Sequence, residues 1–280
     1  MSKILIIFFS AILLYSCKKD TAGDQLGQQT LLNVSYGNHA SQKMDVYLPA
    51  GRDAGATKAI ILIHGGGWNA GDKSDFASYI SVLKQRLPDY AIFNINYRLA
   101  ISPDLFPAQE MDVKAAVQFI INSSDEYQVN SNKLVLLGAS AGGHLALLQA
   151  YKHDNGKVKA VIDFFGPTEL VEMYTNPPNS LVPSLLQIVT GATPASNLQI
   201  YQDSSPVNFI SSSSPPTLIF HGGIDNIVHV SQSQLLSTAL ATTGIQHQLV
   251  IYPGEGHGWT GANLNDSFDR IASFLALHVP

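Results

Sequence analysis

From Leu31 onward the chain alternates two kinds of segment, and this alternation limits the fold more than any other feature. Runs dense in β-branched and aromatic residues recur: KAIILIHGG (Lys58–Gly66), YAIFNINYR (Tyr90–Arg98), NKLVLLGAS (Asn132–Ser140), KAVIDFFG (Lys159–Gly166), PTLIFHGG (Pro216–Gly223) and HQLVIYPG (His247–Gly254). Such runs are what strands buried on both faces look like. Between them lie helix patterns. In FPAQEMDVKAAVQFIINSS, Val113, Ala116, Val117 and Ile120 share one helical face. GGHLALLQAY, SQSQLLSTALATTG and SFDRIASFLALH fill further helix slots. The expectation is an α/β fold, a mostly parallel sheet with helices on both faces. LLNVSYG and QKMDVYLP alternate apolar and polar residues, as a partly exposed hairpin does.

With 45% hydrophobic and 13% charged residues, the 280-residue chain has enough apolar material for one large core. Residues 31–280 read as one domain. The net charge is −5, and the only basic pair is Lys18-Lys19, so nothing points to a nucleic-acid partner. Pro167–Asn208 breaks the rhythm. It is rich in Pro, Asn, Ser and Gln with only short helical stretches, and reads either as a small cap or as a surface excursion.

GASAG (Gly138–Gly142) follows an apolar strand and opens a helix. That context makes Ser140 a candidate nucleophile, projected from a sharp strand-to-helix turn. Side chains at Gly138 and Gly142 would collide across such a turn, and Gly143 would let the helix approach the sheet. HGGGW (His64–Trp68) ends the strand IILI. Its glycines leave backbone N–H groups free to face an oxygen that gains negative charge under nucleophilic attack. Gly66, Gly67 and Ala141, the residue after Ser140, are the expected donors. His64 reads as structural.

A serine hydroxyl needs a base. Of the nine histidines, His257 follows the last strand in VIYPGEGHGW, where Gly254, Gly256 and Gly258 would let the loop fold back toward Ser140. The third member must be a carboxylate that orients the imidazole. Asp225 in HGGIDNIV is preferred and Asp163 in VIDFFG is the rival. Arg98 and Asp112 read as a structural ion pair beneath the site. Trp68 and Trp259 flank the proposed loops, as aromatic walls or as core.

HGGGWNAGDKSD, INYRLA, FPAQEMDVKAAVQFI, LLGASAGGHLAL, HGGIDNIV and YPGEGHGW, in this order, resemble the α/β-hydrolase carboxylesterases. The resemblance is strongest to the acetyl and feruloyl esterase-like branch, near the hormone-sensitive lipase-like enzymes, and covers roughly residues 31–280. It implies an α/β-hydrolase fold with a small cap or none. Ser140 would be the nucleophile, Asp225 the acid and His257 the base, with Gly66, Gly67 and Ala141 forming the oxyanion hole. The substrates implied are short acyl or aryl esters, including acetyl or feruloyl groups on polysaccharides, and no metal or organic cofactor is implied. An amidase such as an arylformamidase uses the same scaffold and HGGGW motif. A surface binding protein with a silent site is the non-enzymatic alternative.

The first residues read as a targeting segment. Lys3 precedes ILIIFFSAILLYS (Ile4–Ser16), an apolar run too short for a spanning helix of about 20 residues. LLYSC resembles a bacterial lipobox, which implies export and lipidation of Cys17, the only cysteine. Residues 1–16 would then be the signal peptide and residues 17–30 the lipid attachment site and a flexible tether. Contact with a membrane would be through that lipid alone. With one cysteine there is no internal disulfide, so stability rests on the core.

Overall fold

The computed structural model describes residues 26–154 and 156–280. The expected signal peptide and lipid attachment site at Cys17 lie outside the described residues.

Among the described residues, eight strands form a single sheet: β1 (Gln29–Ser35), β2 (Lys43–Leu48), β3 (Lys58–Ile63), β4 (Tyr90–Ile95), β5 (Leu134–Ala139), β6 (Val158–Phe164), β7 (Thr217–Gly222) and β8 (His247–Tyr252). Their order is β1-β2-β4-β3-β5-β6-β7-β8. The β1/β2 and β2/β4 pairs are antiparallel and the others parallel. The expected hairpin is present, with a register irregularity between Leu31 and Val34. There Asn33 takes a left-handed φ of 57° and donates its N–H to the Asp45 carboxylate at 2.8 Å. Gln29 and Thr30 already pair with Leu48 and Tyr47. The strand therefore starts two residues inside the segment read as tether, because the edge of β2 offers unpaired backbone groups that β1 satisfies.

Among the described residues, eight α-helices lie between strands and a ninth follows β8. The first five are α1 (Ile80–Arg86), α2 (Ala108–Asn122), α3 (Ser124–Tyr127), α4 (Ala141–Leu148) and α5 (Leu170–Thr175). The rest are α6 (Val182–Thr190), α7 (Leu198–Asp203), α8 (Ser231–Thr243) and α9 (Gly261–His278). Side chains alternate faces along a strand, and β3 shows the result. Ile61 and Ile63 join the core layer under α2, α4 and α8, while Ile60 and Leu62 join the layer under α1 and α9. All six residues of β4 and five of six in β5 are buried, as central parallel strands require. β8 is the edge opposite β1, and only Tyr252 in it is buried.

The strand order reverses its direction of winding at β3. The chain passes from β3 to β4 on one side and, later, to β5 on the other. Loops leaving the carboxyl ends of β3 and β5 therefore diverge and leave a crevice between them. HGGGW and GASAG are those two loops. The Pro167–Asn208 segment carries α5, α6 and α7 and takes the position of a small cap. Leu185 reaches the HGGGW loop, and Asn179 Nδ2 donates to the Asn226 carbonyl at 2.7 Å.

Candidate active site

Ser140 stands between β5 and α4 with φ 55° and ψ −122°, a strained conformation for a residue with a side chain. The surroundings explain how it is held. A Cβ on Gly138 would lie 2.6 Å from the Gly143 nitrogen, and one on Gly142 would lie 2.5 Å from the His64 carbonyl oxygen. A Cβ on Gly143 would run into Asp163 Oδ1. The elbow thus packs backbone against backbone, and no larger residue fits at these three positions.

The HGGGW loop runs directly along this elbow. A Cβ on Gly65 would lie 2.9 Å from the Ala139 carbonyl oxygen and 3.3 Å from Ser140 Cβ. Gly66 and Gly67 have φ values of 102° and 56°. Among the described residues, the backbone N–H groups of Gly66, Gly67 and Ala141 donate to no other group.

The structure brings Ser140, His257 and Asp225 together. His257 Nε2 lies 2.9 Å from Ser140 Oγ, and His257 Nδ1 lies 2.7 Å from Asp225 Oδ2. Because the carboxylate only accepts, Nδ1 carries the proton and Nε2 is free to accept from the hydroxyl. Asp225 Oδ1 takes the N–H groups of Ile227 and Val228 at 2.8 and 3.0 Å. Burial raises the Asp225 pKa, but hydrogen bonds with His221 and His257 overcome that and hold the carboxyl well below its usual range. His221 lies 3.4 Å from Asp225 Oδ2 while its Nε2–H donates to the Val228 carbonyl at 2.8 Å. No local sequence signal marks this second histidine beyond its position four residues before Asp225.

Asp163, the rival carboxylate, is not at the site. It lies fully buried under α4, accepting from the Gly166 N–H at 3.0 Å, and its Oδ2 has no partner among the described residues. Burial pushes it up to about 7. Its role is to sit against Gly143 and Gly166, where no side chain leaves room.

The glycines around His257 differ from the expectation in an informative way. Of Gly254, Gly256 and Gly258, only Gly258 has a left-handed φ, 112°, and a Cβ on any of the three would meet nothing. The close approach is enforced from the other loop. A Cβ on Gly222 would lie 2.7 Å from the Glu255 carbonyl carbon, and one on Gly223 would lie 2.8 Å from Pro253 Cα. Gly222-Gly223 lets the histidine loop lie on the aspartate loop.

The Arg98–Asp112 pair is structural, as read. Arg98 Nη2 lies 2.7 Å from Asp112 Oδ1, and Gln42 Nε2 donates to the same oxygen at 2.7 Å. Both tryptophans are core residues, Trp68 2% and Trp259 8% exposed. Trp259 also lines an apolar cavity of about 120 Å³, with Phe76, Tyr79, Phe165, Gly258 and Phe268. Phe165 packs on the His257 ring at 4.5 Å between centroids. Among the described residues, no three His, Cys, Asp or Glu side chains cluster as metal ligands do.

Comparison with known proteins places this architecture. The pattern of the BD-FAE family matches residues 44–240, more than half of the chain. The chain belongs to the BD-FAE family. The esterase-like α/β-hydrolase resemblance read from the motifs is therefore borne out. Esterase LipC of Mycobacterium tuberculosis is 25% identical to this BD-FAE chain over 258 residues, covering 86% of it and 64% of LipC. A truncated carbohydrate esterase from gut microbiota superposes with a TM-score of 0.76 at 26% identity, covering 91% of this chain and 98% of that one. Thermogutta terrifontis esterase 2, in a form phosphonylated by sarin, gives a TM-score of 0.74 at 23% identity and covers 90% and 95%. That likeness bears on the fold alone. The BD-FAE chain spans less than two thirds of the length of LipC and of LipM from the same organism.

Proposed function

We propose that the protein is an exported serine esterase that hydrolyses short acyl or aryl carboxylic esters, including acyl substituents of polysaccharides. One observation carries the reading. Ser140, His257 and Asp225 form a continuous hydrogen-bonded relay of 2.9 and 2.7 Å, beside backbone N–H groups that have no acceptor among the described residues. Relatives named as esterases support the reaction class, and a neighbour named as a carbohydrate esterase supports the substrate class.

Ser140 Oγ attacks the ester carbonyl carbon while its proton passes to His257 Nε2. Asp225 keeps the ring in the tautomer that can accept it and stabilises the imidazolium. The carbonyl oxygen becomes an oxyanion facing the N–H groups of Gly66, Gly67 and Ala141, in a site where such donors typically contribute a few kcal/mol. The bond to the alkoxy oxygen breaks and His257 protonates the departing alcohol. Water then gives its proton to His257 and attacks the acyl-enzyme, and Ser140 leaves with the proton returned. The carboxylic acid is released.

The test is Ser140→Ala. Turnover of p-nitrophenyl acetate should fall by several orders of magnitude, and labelling by a fluorophosphonate probe should vanish while the protein still melts cooperatively. Near-normal turnover by the variant removes Ser140 from the mechanism. The proposal also includes lipid attachment at Cys17, supported by the short apolar run ending in LLYSC. Mass spectrometry of the mature N-terminus tests that part, and an unmodified terminus cut elsewhere refutes it.

A further inference from the structure

Three consecutive residues of the HGGGW loop are left-handed: Gly66, Gly67 and Trp68, with φ of 102°, 56° and 60°. Glycine accepts this freely, but tryptophan does not. A strained residue of this kind persists only where its surroundings over-determine it. Trp68 immediately follows the two glycines whose N–H groups find no acceptor among the described residues, so whatever holds Trp68 also sets those donors.

Its side chain is held by His144. Trp68 Nε1–H donates to His144 Nδ1 at 3.1 Å, and the two rings meet edge-on at 5.0 Å. His144 Nε2 in turn donates to the Ser204 carbonyl at 2.7 Å. His144 has no exposed surface, and Phe106 packs against its ring at 5.6 Å. It lies on α4 four residues after Ser140, and its backbone N–H donates to the Ser140 carbonyl at 3.1 Å. Ser204 directly follows α7 in the cap segment. One imidazole therefore joins the donor loop, the helix that carries the nucleophile and the cap. On the outer side, Leu185 of α6 lies 3.2 Å from where a Gly67 Cβ would stand. The loop is held from both sides.

The chemistry of the relay allows a single protonation state. An indole N–H only donates and a carbonyl only accepts. The ring must be neutral with its proton on Nε2, since an imidazolium would set an Nδ1–H against the indole N–H. Burial, acting against the Ser204 hydrogen bond and the nearby Glu110 carboxylate, holds His144 down at about 4, with Lys152 adding to the fall.

We propose that Trp68 and His144 are positioning residues that fix the Gly66 and Gly67 donors against Ser140 through the Trp68–His144–Ser204 relay. The proposal rests on the esterase reading above. The oxyanion exists only in the transition state and the intermediate, so loosening its donors lowers kcat and leaves ground-state binding alone.

The test uses the intact protein and its Trp68→Phe, His144→Asn and His144→Leu variants. Phenylalanine keeps the ring and removes the donor. Asparagine keeps an acceptor for the indole, and leucine removes it. Trp68→Phe should lower kcat for p-nitrophenyl acetate about tenfold to hundredfold with KM nearly unchanged. Inhibition by a trifluoromethyl ketone, which forms a tetrahedral oxyanion on Ser140, should weaken by the same factor. His144→Asn should retain more kcat than His144→Leu. In the unmutated protein, nitrogen-15 NMR should show His144 protonated at Nε2 alone, unchanged between pH 8 and 5.5, a measurement that needs no variant to fold.

Wild-type kcat in folded Trp68→Phe overturns the proposal. So does a loss confined to KM, an unchanged trifluoromethyl ketone affinity, or a proton on His144 Nδ1. Ser140→Ala separates the two levels. If it keeps turnover, the esterase reading fails and this proposal fails with it. If it is silent while Trp68→Phe is normal, only the relay fails.

Discussion

Asp225→Asn should cost far more activity than Asp163→Asn, although the two carboxylates lie at the ends of neighbouring strands. The structure dictates how an asparagine would settle at 225. Asp225 Oδ1 accepts two backbone N–H groups, from Ile227 and Val228, so the amide oxygen must occupy that place. The amide NH₂ is then forced into the place of Oδ2, 2.7 Å from His257 Nδ1. There it can only donate, which drives the His257 proton to Nε2 and points an N–H at Ser140. The base is lost through its tautomer, with no change of shape. The imidazolium of the transition state also loses its counter-charge, worth about 4 kcal/mol for unit charges about 4 Å apart at an effective dielectric of about 20. At about 1.4 kcal/mol per decade, kcat should fall about 10³- to 10⁴-fold. Asp163 Oδ2 has no partner to lose, and its carboxyl is already held up at about 7, so Asp163→Asn should stay within about tenfold. The assay is kcat on p-nitrophenyl acetate near pH 8, with melting curves to show that both variants fold. An Asp225→Asn enzyme within tenfold of wild type, or the reverse ranking, refutes the tautomer argument.

Asp163 also predicts a pH dependence of stability. Its carboxyl rises from 3.8 to about 7 on folding, so the stability it allows is full below about pH 4 and is lost as pH climbs to about 7. The Tm of Asp163→Asn should gain on wild type across that window, and a constant difference from pH 4 to 8 refutes it. Gly142→Ala should destabilise by about 1–3 kcal/mol or more, because its Cβ meets the His64 carbonyl oxygen. Gly254→Ala and Gly256→Ala should stay within about 0.5 kcal/mol in urea unfolding, since their Cβ atoms meet nothing. Across p-nitrophenyl esters, kcat/KM should peak at short or aryl acyl groups. The cavity of about 120 Å³ beside Phe165 and Gly258 is close in size to a cavity of roughly 150 Å³ that binds one benzene ring, which leaves room for a short or single-ring acyl group and none for a long chain. A gain of about 0.8 kcal/mol per added methylene that continues past about eight carbons would reveal a groove not seen here.

Features written in local patterns were legible in the sequence. Six of the eight strands appear as apolar runs and the first two as an alternating hairpin, and the elbow is marked by glycines flanking Ser140. Asp225 and His257 stand where loops leave the last two strands. Helix α1 (ISVLKQR) is not legible in the sequence, because seven residues without a capping side chain carry little periodic signal. The contacts that hold the site were also illegible, since they join residues distant in the chain. Trp68 and His144 are 76 positions apart, and Asn179 and Asn226 are 47 apart. The glycines beside His257 looked necessary, yet the crowding falls on Gly222 and Gly223, which face them. Sequence shows that two loops are rich in glycine. It does not show which of them must yield space.

Ser140 projects from a strand with neighbours on both sides, whereas His257 hangs from β8, the half-exposed border of the sheet. The two halves of the proton relay therefore rest on parts of the molecule with unequal resistance to local opening. Amide protons of β8 should exchange with deuterium well before those of β5. A modest dose of urea should then silence turnover while the far-ultraviolet circular dichroism is still native, because unzipping one border strand carries away the base and leaves the elbow intact.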